Sequence, residues 1–275
     1  MFTILINIKI YVNLLMKIYN AFGITPTNSF VSAGSDYYIP DLDNDVKINR
    51  ALSAFEKSYK KTTEDIQKLL EYFNIVLTEQ KPEIPGDQIP NLIHLFLALY
   101  DPTLEDAKQT SLIQAVYHFV ESIMVYDKEN DKVGIRLNCN NTLFINSGIK
   151  VALDTVLSDQ IAPRPSDEVV RLRMLGIGVA GLYVNKSGMG NKGWDVRACL
   201  VDEDYAGYVH LSMSYTKEVL EDKENIVYCG DKLTQMMLIP VFHTQYKEVN
   251  EDTYNNIMSK SERGDSGFGS QDIKH

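Results

Sequence analysis

Cysteine is scarce in this chain, and the few cysteines form no metal-binding or disulfide pattern. Cys139, Cys199 and Cys229 are far apart and odd in number, so neither a disulfide framework nor a CxxC zinc site is indicated. The five histidines are scattered and contain no HExxH motif. The absence of paired cysteines favours a reducing compartment, and we expect an intracellular, cytoplasmic protein.

Positive charge and long apolar runs are also lacking. The formal net charge is -10, which disfavours binding to nucleic acid or to an anionic membrane, and we expect neither as a partner. Residues 1–15 are very apolar, but they are too short for a membrane span of about 20 residues. They also lack the basic region and cleavage site of a secretion signal. We interpret them as an upstream mis-start, with Met16 as the natural start, or as an extra edge strand.

The chain shows two alternating patterns of apolar residues, and the first of them is helical. With 275 residues, it is long enough for one large domain or for a domain with a sizeable insertion. Between 45 and 132, apolar residues recur four and three apart from Ile48 to Val76, which predicts one long amphipathic helix. Two further helical stretches follow, near 91–100 and 103–126. We therefore predict a helical insertion over 45–132.

The second pattern is that of short β-strands, over 16–44 and 133–260. The segment "YVHLSMSY" alternates, with Val209, Leu211, Met213 and Tyr215 on one face. Many short strands separated by turns predict a sandwich, a jelly roll or a barrel. Residues 154–170 read as a smaller loop insertion. The glycine-bearing end, 261–275, has no apolar period and is predicted to be a flexible segment.

One glycine motif invites a cofactor interpretation that its surroundings do not support. Gly176, Gly178 and Gly181 form GxGxxG, the dinucleotide-binding pattern. That pattern requires a strand before it and a helix after it, whereas the next residues read as a strand and a turn. Close strand packing or bulges are the better explanation of these glycines.

Five further motifs occur in a fixed order along the chain. They are "AGSDYYIP" (33–40), "NKSGMGNKG" (185–193), "VDEDYAGYV" (201–209), "GDKLTQMMLIPV" (230–241) and "RGDSGFGS" (263–270). In this order they resemble the five motifs of the trimeric dUTPases, which hydrolyse dUTP to dUMP and diphosphate. The resemblance covers roughly 17–43 and 137–270 and leaves the helical block unexplained. It implies a mainly β fold, a jelly-roll-like β-barrel protomer with an α-helical insertion after the first motif, assembled as a homotrimer with active sites between subunits.

The resemblance also implies roles for individual carboxylates and for a tyrosine. Asp202 would orient and activate the water that attacks the α-phosphorus, and Tyr205 would pack against the deoxyribose. Asp36 would support Mg²⁺ through water, a mode that needs no carboxylate cluster because Mg²⁺ keeps several of its waters. Ordinary alternatives remain open, namely a turn aspartate for Asp36 and a half-buried strand tyrosine for Tyr205.

Lys186, Ser187 and Gly188 match the phosphate loop of the family, where an arginine usually stands in place of Lys186. Lysine keeps the charge but loses the bidentate fork, so we expect less directional phosphate binding. Gln235 would add a phosphate contact, or else is a polar strand residue. Cys199 stands where the uracil-reading hairpin commonly has a glycine. Main-chain recognition of the base does not depend on that side chain.

The C-terminal segment matches the fifth motif and is expected to act as a lid. By the resemblance, Arg263 would bind the γ-phosphate, Phe268 would stack on uracil, and Ser270 would donate to the terminal phosphate. Gly267 and Gly269 would let the backbone fold around the anion. The lid would order only when substrate binds.

Three hypotheses follow from the sequence. The first is a dUTP diphosphatase that uses Mg²⁺. The second is the related dCTP deaminase, which shares the fold but usually has Asp-Pro-Gly-aromatic where this chain has "DEDYAG". The third is a dUTPase-like regulatory protein that binds a protein partner through its helical insertion, since exposed helices with an apolar stripe can dock into grooves. The alternative for the helical insertion is a folded extension of the trimer surface that binds no partner.

Overall fold

A computed structural model describes residues 16–28, 32–60, 62–100, 109–153, 176–218 and 225–261. The predicted extra strand at 1–15, the loop insertion at 154–170 and the tail motif at 263–270 lie outside these ranges. The chain divides into two compact units, Met1–Val241 and Phe242–His275.

In the part of the first unit that the structure describes, the strands form three sheets. Its strands, in chain order, are β1 (Lys17–Asn20), β2 (Ser35–Tyr38), β3 (Met124–Asp127), β4 (Lys132–Arg136), β5 (Thr142–Ala152), β6 (Ile177–Asn185), β7 (Trp194–Val196), β8 (Leu200–Val201), β9 (Tyr208–Tyr215), β10 (Ile226–Tyr228) and β11 (Lys232–Phe242), the last ending one residue into the second unit. The sheet orders are β1-β5-β9-β7, β10-β4-β3 and β2-β11-β6-β8. The prediction of a mainly β fold with a helical block after the first motif is confirmed.

The alternating pattern of "YVHLSMSY" predicted its strand correctly. Val209, Leu211, Met213 and Tyr215 are buried on β9, which pairs antiparallel with β5. The glycines of GxGxxG lie in β6 or directly before it, and not between a strand and a helix. A Cβ on Gly181 would stand 2.7 Å from the Met236 sulfur, so this glycine permits close strand packing.

The helices of the described residues lie between β2 and β3, apart from one short helix after β6 and one in the second unit. They are α1 (Asp45–Tyr59), α2 (Thr63–Gln80), α3 (Ile89–Leu99) and α4 (Gln109–His118), followed by one π-helical turn (Phe119–Ile123). A short α5 (Ser187–Lys192) follows β6. Within the described ranges, no helix is long and apolar enough to cross a membrane.

The prediction of one long helix from Ile48 to Val76 is wrong, because the structure has two. Lys60 ends α1 in the left-handed conformation, at φ 51°. Thr62 then caps α2 through a capping box with Asp65, which satisfies main-chain groups at the start of a new helix. The apolar stripe continues across the break, which is why periodicity alone did not reveal it.

The helical pattern predicted up to residue 132 ends earlier than expected. The π turn ends at Ile123, and Met124–Asp127 forms β3, which pairs antiparallel with β4. Asp127 closes the hairpin by accepting hydrogen bonds from the amides of Glu129 (3.0 Å) and Asn130 (3.3 Å). An aspartate at the first position of a turn favours the turn over a continued helix, because its side chain accepts hydrogen bonds from main-chain amides. The preceding residues Met, Val and Tyr are compatible with a strand.

Helices and strands share one hydrophobic core. A single cluster contains Leu92 and Leu95 of α3, both fully buried, together with Leu143 and Ile145 of β5 and Ile135 of β4. Neither layer could bury this apolar surface alone, so α3 forms part of the same core as the sheets.

The second unit contains a helix that buries none of its own side chains. This helix, α6 (Glu251–Met258), starts at Asn250, whose side chain accepts a hydrogen bond from the Thr253 amide at 2.9 Å. Tyr254, Ile257 and Met258 are exposed. Their spacing of three and four places them on one face of the helix.

His94 on α3 is buried without a conventional hydrogen bond. It is 1% exposed, and neither ring nitrogen has a partner among the described residues. The rings of Phe22 and Phe55 lie 6.0 and 5.4 Å away, and an apolar cavity of about 90 Å³ borders it. Burial, with a smaller effect of His210, lowers the pKa of His94 from 6.5 to about 3.

This buried imidazole makes the fold sensitive to acid. The unfolded chain takes up a proton near pH 6.5, whereas folded His94 resists protonation to about pH 3, so stability falls as the pH drops below 6.5. Between pH 7.5 and 5.5, we expect His94 to contribute a loss of about 1.4 kcal/mol in the free energy of unfolding. Urea unfolding of wild type and His94→Leu at both pH values measures this contribution.

His118→Gln is the control, because it removes an exposed histidine and should keep the wild-type pH dependence. If His94→Leu loses as much stability as wild type over this interval, His94 is not the group responsible.

Candidate active site

The first-motif aspartate lies between two lysines. Asp36 is on β2, directly opposite Gln235 of β11. Its Oδ1 lies 2.6 Å from Lys186 Nζ, and its Oδ2 lies 3.1 Å from Lys232 Nζ. Burial alone would raise the pKa of Asp36, but the hydrogen bonds and charges of the two lysines outweigh it and hold that pKa below its usual range. The carboxylate therefore stays ionised and fixes two cations in place.

The end of β6 places the predicted phosphate loop beside this cluster. Asn185 accepts from the Val196 amide (2.9 Å) and donates to Asp195 (3.0 Å), which ties the strand end to β7. The Nε2 of Gln235 reaches the Asn185 carbonyl at 3.5 Å, the outer limit of a hydrogen bond. Lys186 follows immediately, so the predicted residues Asp36, Lys186 and Gln235 are brought together.

Ser187 and Gly188 begin α5 and are exposed. A Cβ placed on Gly188 would meet nothing within 4 Å, so this side of the backbone is open. The amide of Gly190 bonds to the Lys186 carbonyl at 2.8 Å, which fixes the first turn. The serine hydroxyl can donate to an anion that approaches from the open side.

Asp202 and Tyr205 sit in a different turn, after β8. The Tyr205 amide donates to the Asp202 carbonyl at 3.2 Å, which closes the turn. The Tyr205 hydroxyl donates to the Tyr208 carbonyl at 2.8 Å, and the side chain is 41% exposed. Partial burial raises the pKa of Tyr205, so its hydroxyl stays protonated. Asp202 is exposed and can accept a hydrogen bond from water.

These two groups of residues lie far apart within one chain. The register places Val201 of β8 opposite Gly181 of β6, and Lys186 comes directly after β6, five residues beyond Gly181. Because β8 is antiparallel to β6, the chain runs from Val201 to Asp202 away from Lys186. At about 3.3 Å per residue, the main chains are separated by roughly 16 Å or more. The single chain does not bring Asp202 and Tyr205 to the lysine cluster.

Cys199 lies in the connection between β7 and β8, which belong to different sheets, so these two strands do not pair as the expected hairpin. Its carbonyl accepts from the Tyr183 amide at 2.6 Å, and its thiol is exposed. The side chain is therefore not needed to hold the strands together. The tail residues Arg263, Gly267, Phe268, Gly269 and Ser270 lie outside the described residues.

Sequence reasoning missed Lys232. The lysine stands in "GDK" at the start of the fourth motif, where a basic residue next to a predicted strand was the available signal. Its contact with Asp36 raises the pKa of Lys232, so it remains charged. Among the described side chains, no three of His, Cys, Asp and Glu type converge to hold a metal.

Comparison with known proteins assigns the family. No family model matches the chain. The deoxyuridine 5'-triphosphate nucleotidohydrolase of Shewanella oneidensis is 31% identical over 135 residues, which cover 46% of this chain and 79% of that enzyme. The chain belongs to the dUTPase family. The dUTPase of Legionella pneumophila (strain Paris) is 34% identical over 95 residues, or 34% of this chain and 56% of that enzyme.

Solved dUTPases are similar to parts of this chain only at low identity. A mutant dUTPase of Staphylococcus bacteriophage 80alpha with dUpNHpp is 16% identical, with a TM-score of 0.31 over 50% of this chain and 85% of that chain. A mutant dUTPase of the S. aureus phage phi11, described with a structural Mg(II) ion, is also 16% identical. Its TM-score is 0.29, and the match covers 48% of this chain and 90% of that chain.

The ion-pair cluster can be tested by its contribution to stability. Asp36→Asn removes the charge that Lys186 and Lys232 share and leaves two ammonium groups facing a neutral amide. We expect the free energy of unfolding to fall by about 1.5–3 kcal/mol, the range for hydrogen bonds to charged groups. Urea unfolding at pH 7 measures this change.

Asp43→Asn is the matched control. It breaks the Asp43–Lys47 pair of 3.0 Å, in which the carboxylate is 60% exposed. An exposed pair of this kind contributes less than about 0.5 kcal/mol. Equal losses in the two variants would show that the Asp36 cluster is not a stabilising contact.

Proposed function

We propose that this chain hydrolyses dUTP to dUMP and diphosphate as part of a homotrimer. The observation that carries the proposal is the cationic cluster of Lys186 and Lys232 around Asp36. A chain of net charge -10 needs local positive charge to hold a polyanionic nucleotide. The dUTPases of S. oneidensis and L. pneumophila support the same reaction.

The phosphate groups bind at the end of β6. Lys186 offers its ammonium, Ser187 its hydroxyl, and the amides around Gly188 line the open side of the backbone. Gln235, opposite Asp36, adds an amide donor. Lys186 keeps its contact with Asp36 through one N–H and has two further N–H groups for phosphate oxygens.

Asp202 acts as the general base. Its carboxylate accepts a proton from a water molecule whose oxygen forms a bond to the α-phosphorus. The bond from that phosphorus to the bridging oxygen breaks, and diphosphate leaves with its electron pair. The exposure of Asp202 supports this role, because the carboxylate must contact both water and a bound nucleotide.

The residues present fit Mg²⁺ held chiefly by the substrate. Each Asp36 oxygen accepts one lysine hydrogen bond and retains a lone pair for a metal-bound water. One carboxylate with water and phosphate oxygens is a donor set that suits Mg²⁺. When bound, Mg²⁺ supplies charge neutralisation on the phosphates, and Asp36 holds it through water.

The base and sugar contact the second turn and the tail. Tyr205 presents its exposed ring to the deoxyribose, and the segment around Cys199 reads uracil through main-chain groups. The tail closes the site, with Arg263 on the γ-phosphate, Phe268 on the uracil ring and Ser270 on the terminal phosphate. Gly267 and Gly269 allow the backbone to surround the anion.

A complete site requires more than one copy of the chain. Asp202 is separated from Lys186 by roughly 16 Å or more of sheet, a distance that no side chain spans. In a cyclic trimer, the Asp202 turn of one copy meets the lysine cluster of the next. A protein partner for the helical block stays a prediction, for which the exposed side chains of Val46, Tyr72 and Ile75 are the available surface.

Asp202→Asn tests the base. The amide cannot accept the proton, so we expect kcat for dUTP to fall by about 10²- to 10⁴-fold while dUTP binding is retained. Diphosphate release measures turnover, and calorimetric titration with a non-hydrolysable dUTP analogue measures binding. Asp204→Asn makes the same charge change in the same turn and should keep wild-type turnover. An active Asp202→Asn enzyme would contradict the assignment.

Nucleotide choice separates the three hypotheses. The proposed function requires diphosphate release from dUTP and little from dCTP or UTP. Ammonia release from dCTP would identify a deaminase, and the absence of turnover with all three would favour a regulatory protein.

Mixing two inactive variants tests the shared site. Asp202→Asn lacks the proposed base, and Lys186→Ala lacks the proposed phosphate contact. If these two residues of one site come from different copies, co-refolding the variants in equal amounts should restore roughly a quarter of the wild-type sites. Each variant refolded alone is the control. Failure of the mixture to regain turnover, with mixed trimers shown by mass spectrometry, would place both halves in one copy.

A further inference from the structure

Tyr205 is fixed in place by two contacts within its own turn. Its amide donates to the Asp202 carbonyl at 3.2 Å, and its hydroxyl donates to the Tyr208 carbonyl at 2.8 Å. The side chain therefore extends forward along the chain, and the ring lies over Gly207. Its exposed fraction of 41% leaves part of the ring open to a ligand.

Gly207 provides the space in which this ring lies. A Cβ on residue 207 would stand 2.6 Å from Cζ and 3.0 Å from Cε2 of Tyr205, and it would clash with the hydroxyl as well. The backbone does not explain this glycine, because Gly207 is not among the described glycines with positive φ, which are Gly148, Gly176, Gly193 and Gly230. Any residue could adopt its conformation, so the only demand for glycine is the Tyr205 ring.

We propose that Gly207 is a positioning residue that sets the discrimination between deoxyribose and ribose through Tyr205. The inference rests on the proposed function. A methyl group at residue 207 must move the ring by about 1 Å to reach ordinary contact distance. A displacement of this size is enough to cost about 10²-fold where alignment matters.

Rejection of an added hydroxyl is especially sensitive to such a displacement. A pocket that merely lacks room for a hydroxyl rejects it by only about 10²-fold, and it does so only while its wall stays rigid. Tyr205 is that wall, and the contacts with Gly207 and with the Tyr208 carbonyl are what hold it. Displacing the ring disturbs its packing against the sugar without touching the phosphate cluster.

The experiment compares dUTP and UTP as substrates of wild type and Gly207→Ala. We expect the ratio of kcat/KM for UTP to that for dUTP to rise by about 10-fold or more, because the displaced ring no longer packs against the deoxyribose and dUTP loses its advantage over UTP. Gly86→Ala is the matched control, since a Cβ there meets nothing within 4 Å and the residue lies outside the site. It should keep the wild-type ratio.

A double-variant comparison separates positioning from a general structural role. In the Tyr205→Ala background the clash is absent, so adding Gly207→Ala should leave the substrate ratio unchanged. This double variant also has room for the new methyl group, which keeps the test available if Gly207→Ala alone fails to fold. A further change in that background would overturn the proposal.

The failure of this inference is distinguishable from failure of the proposed function. Wild-type protein that releases no diphosphate from dUTP overturns both. Wild-type turnover with an unchanged UTP to dUTP ratio in Gly207→Ala overturns only the role of Gly207. A crystal structure of Gly207→Ala with the Tyr205 ring in its original place would do the same.

Discussion

One carboxylate joins three segments that are distant in the sequence. Asp36 on β2 contacts Lys186 after β6 and Lys232 at the start of β11 through its two oxygens. Two lysines this close would repel each other without it, and the partial burial of Asp36 strengthens the attraction. The sheet order β2-β11-β6 already brings the three segments together, and the ion-pair cluster determines where positive charge is held on this acidic protein.

The same cluster constrains Lys186, which stands where the resemblance in the sequence leads one to expect arginine. An arginine fixes its own direction through a planar fork, whereas a lysine on a flexible stem needs an external constraint. Asp36 supplies that constraint for Lys186 at 2.6 Å. The loss of bidentate geometry at residue 186 is thus offset by an ion pair that preorganises the ammonium group.

Much of the fold and part of the site could be predicted from the residues. Alternation located β9, and the order of the motifs brought Asp36, Lys186 and Gln235 into one prediction; the structure places these three residues close together. The break at Lys60 was missed because a cap is a local event that leaves the apolar period intact. The distance between Asp202 and Lys186 depends on the register of β8 against β6, which no linear pattern encodes. Lys232 was missed because its partner lies almost 200 positions earlier in the chain.

The core shared by α3 and β5 has a consequence for any molecule that binds the helices. Leu92 and Leu95 lose their burial if Leu143 and Ile145 move away, so the two layers open and close as one cooperative unit. Amide hydrogen exchange in α3 should then report on β5. A ligand that tightens the helical surface will also slow opening of the strands beneath it, even though it never contacts them.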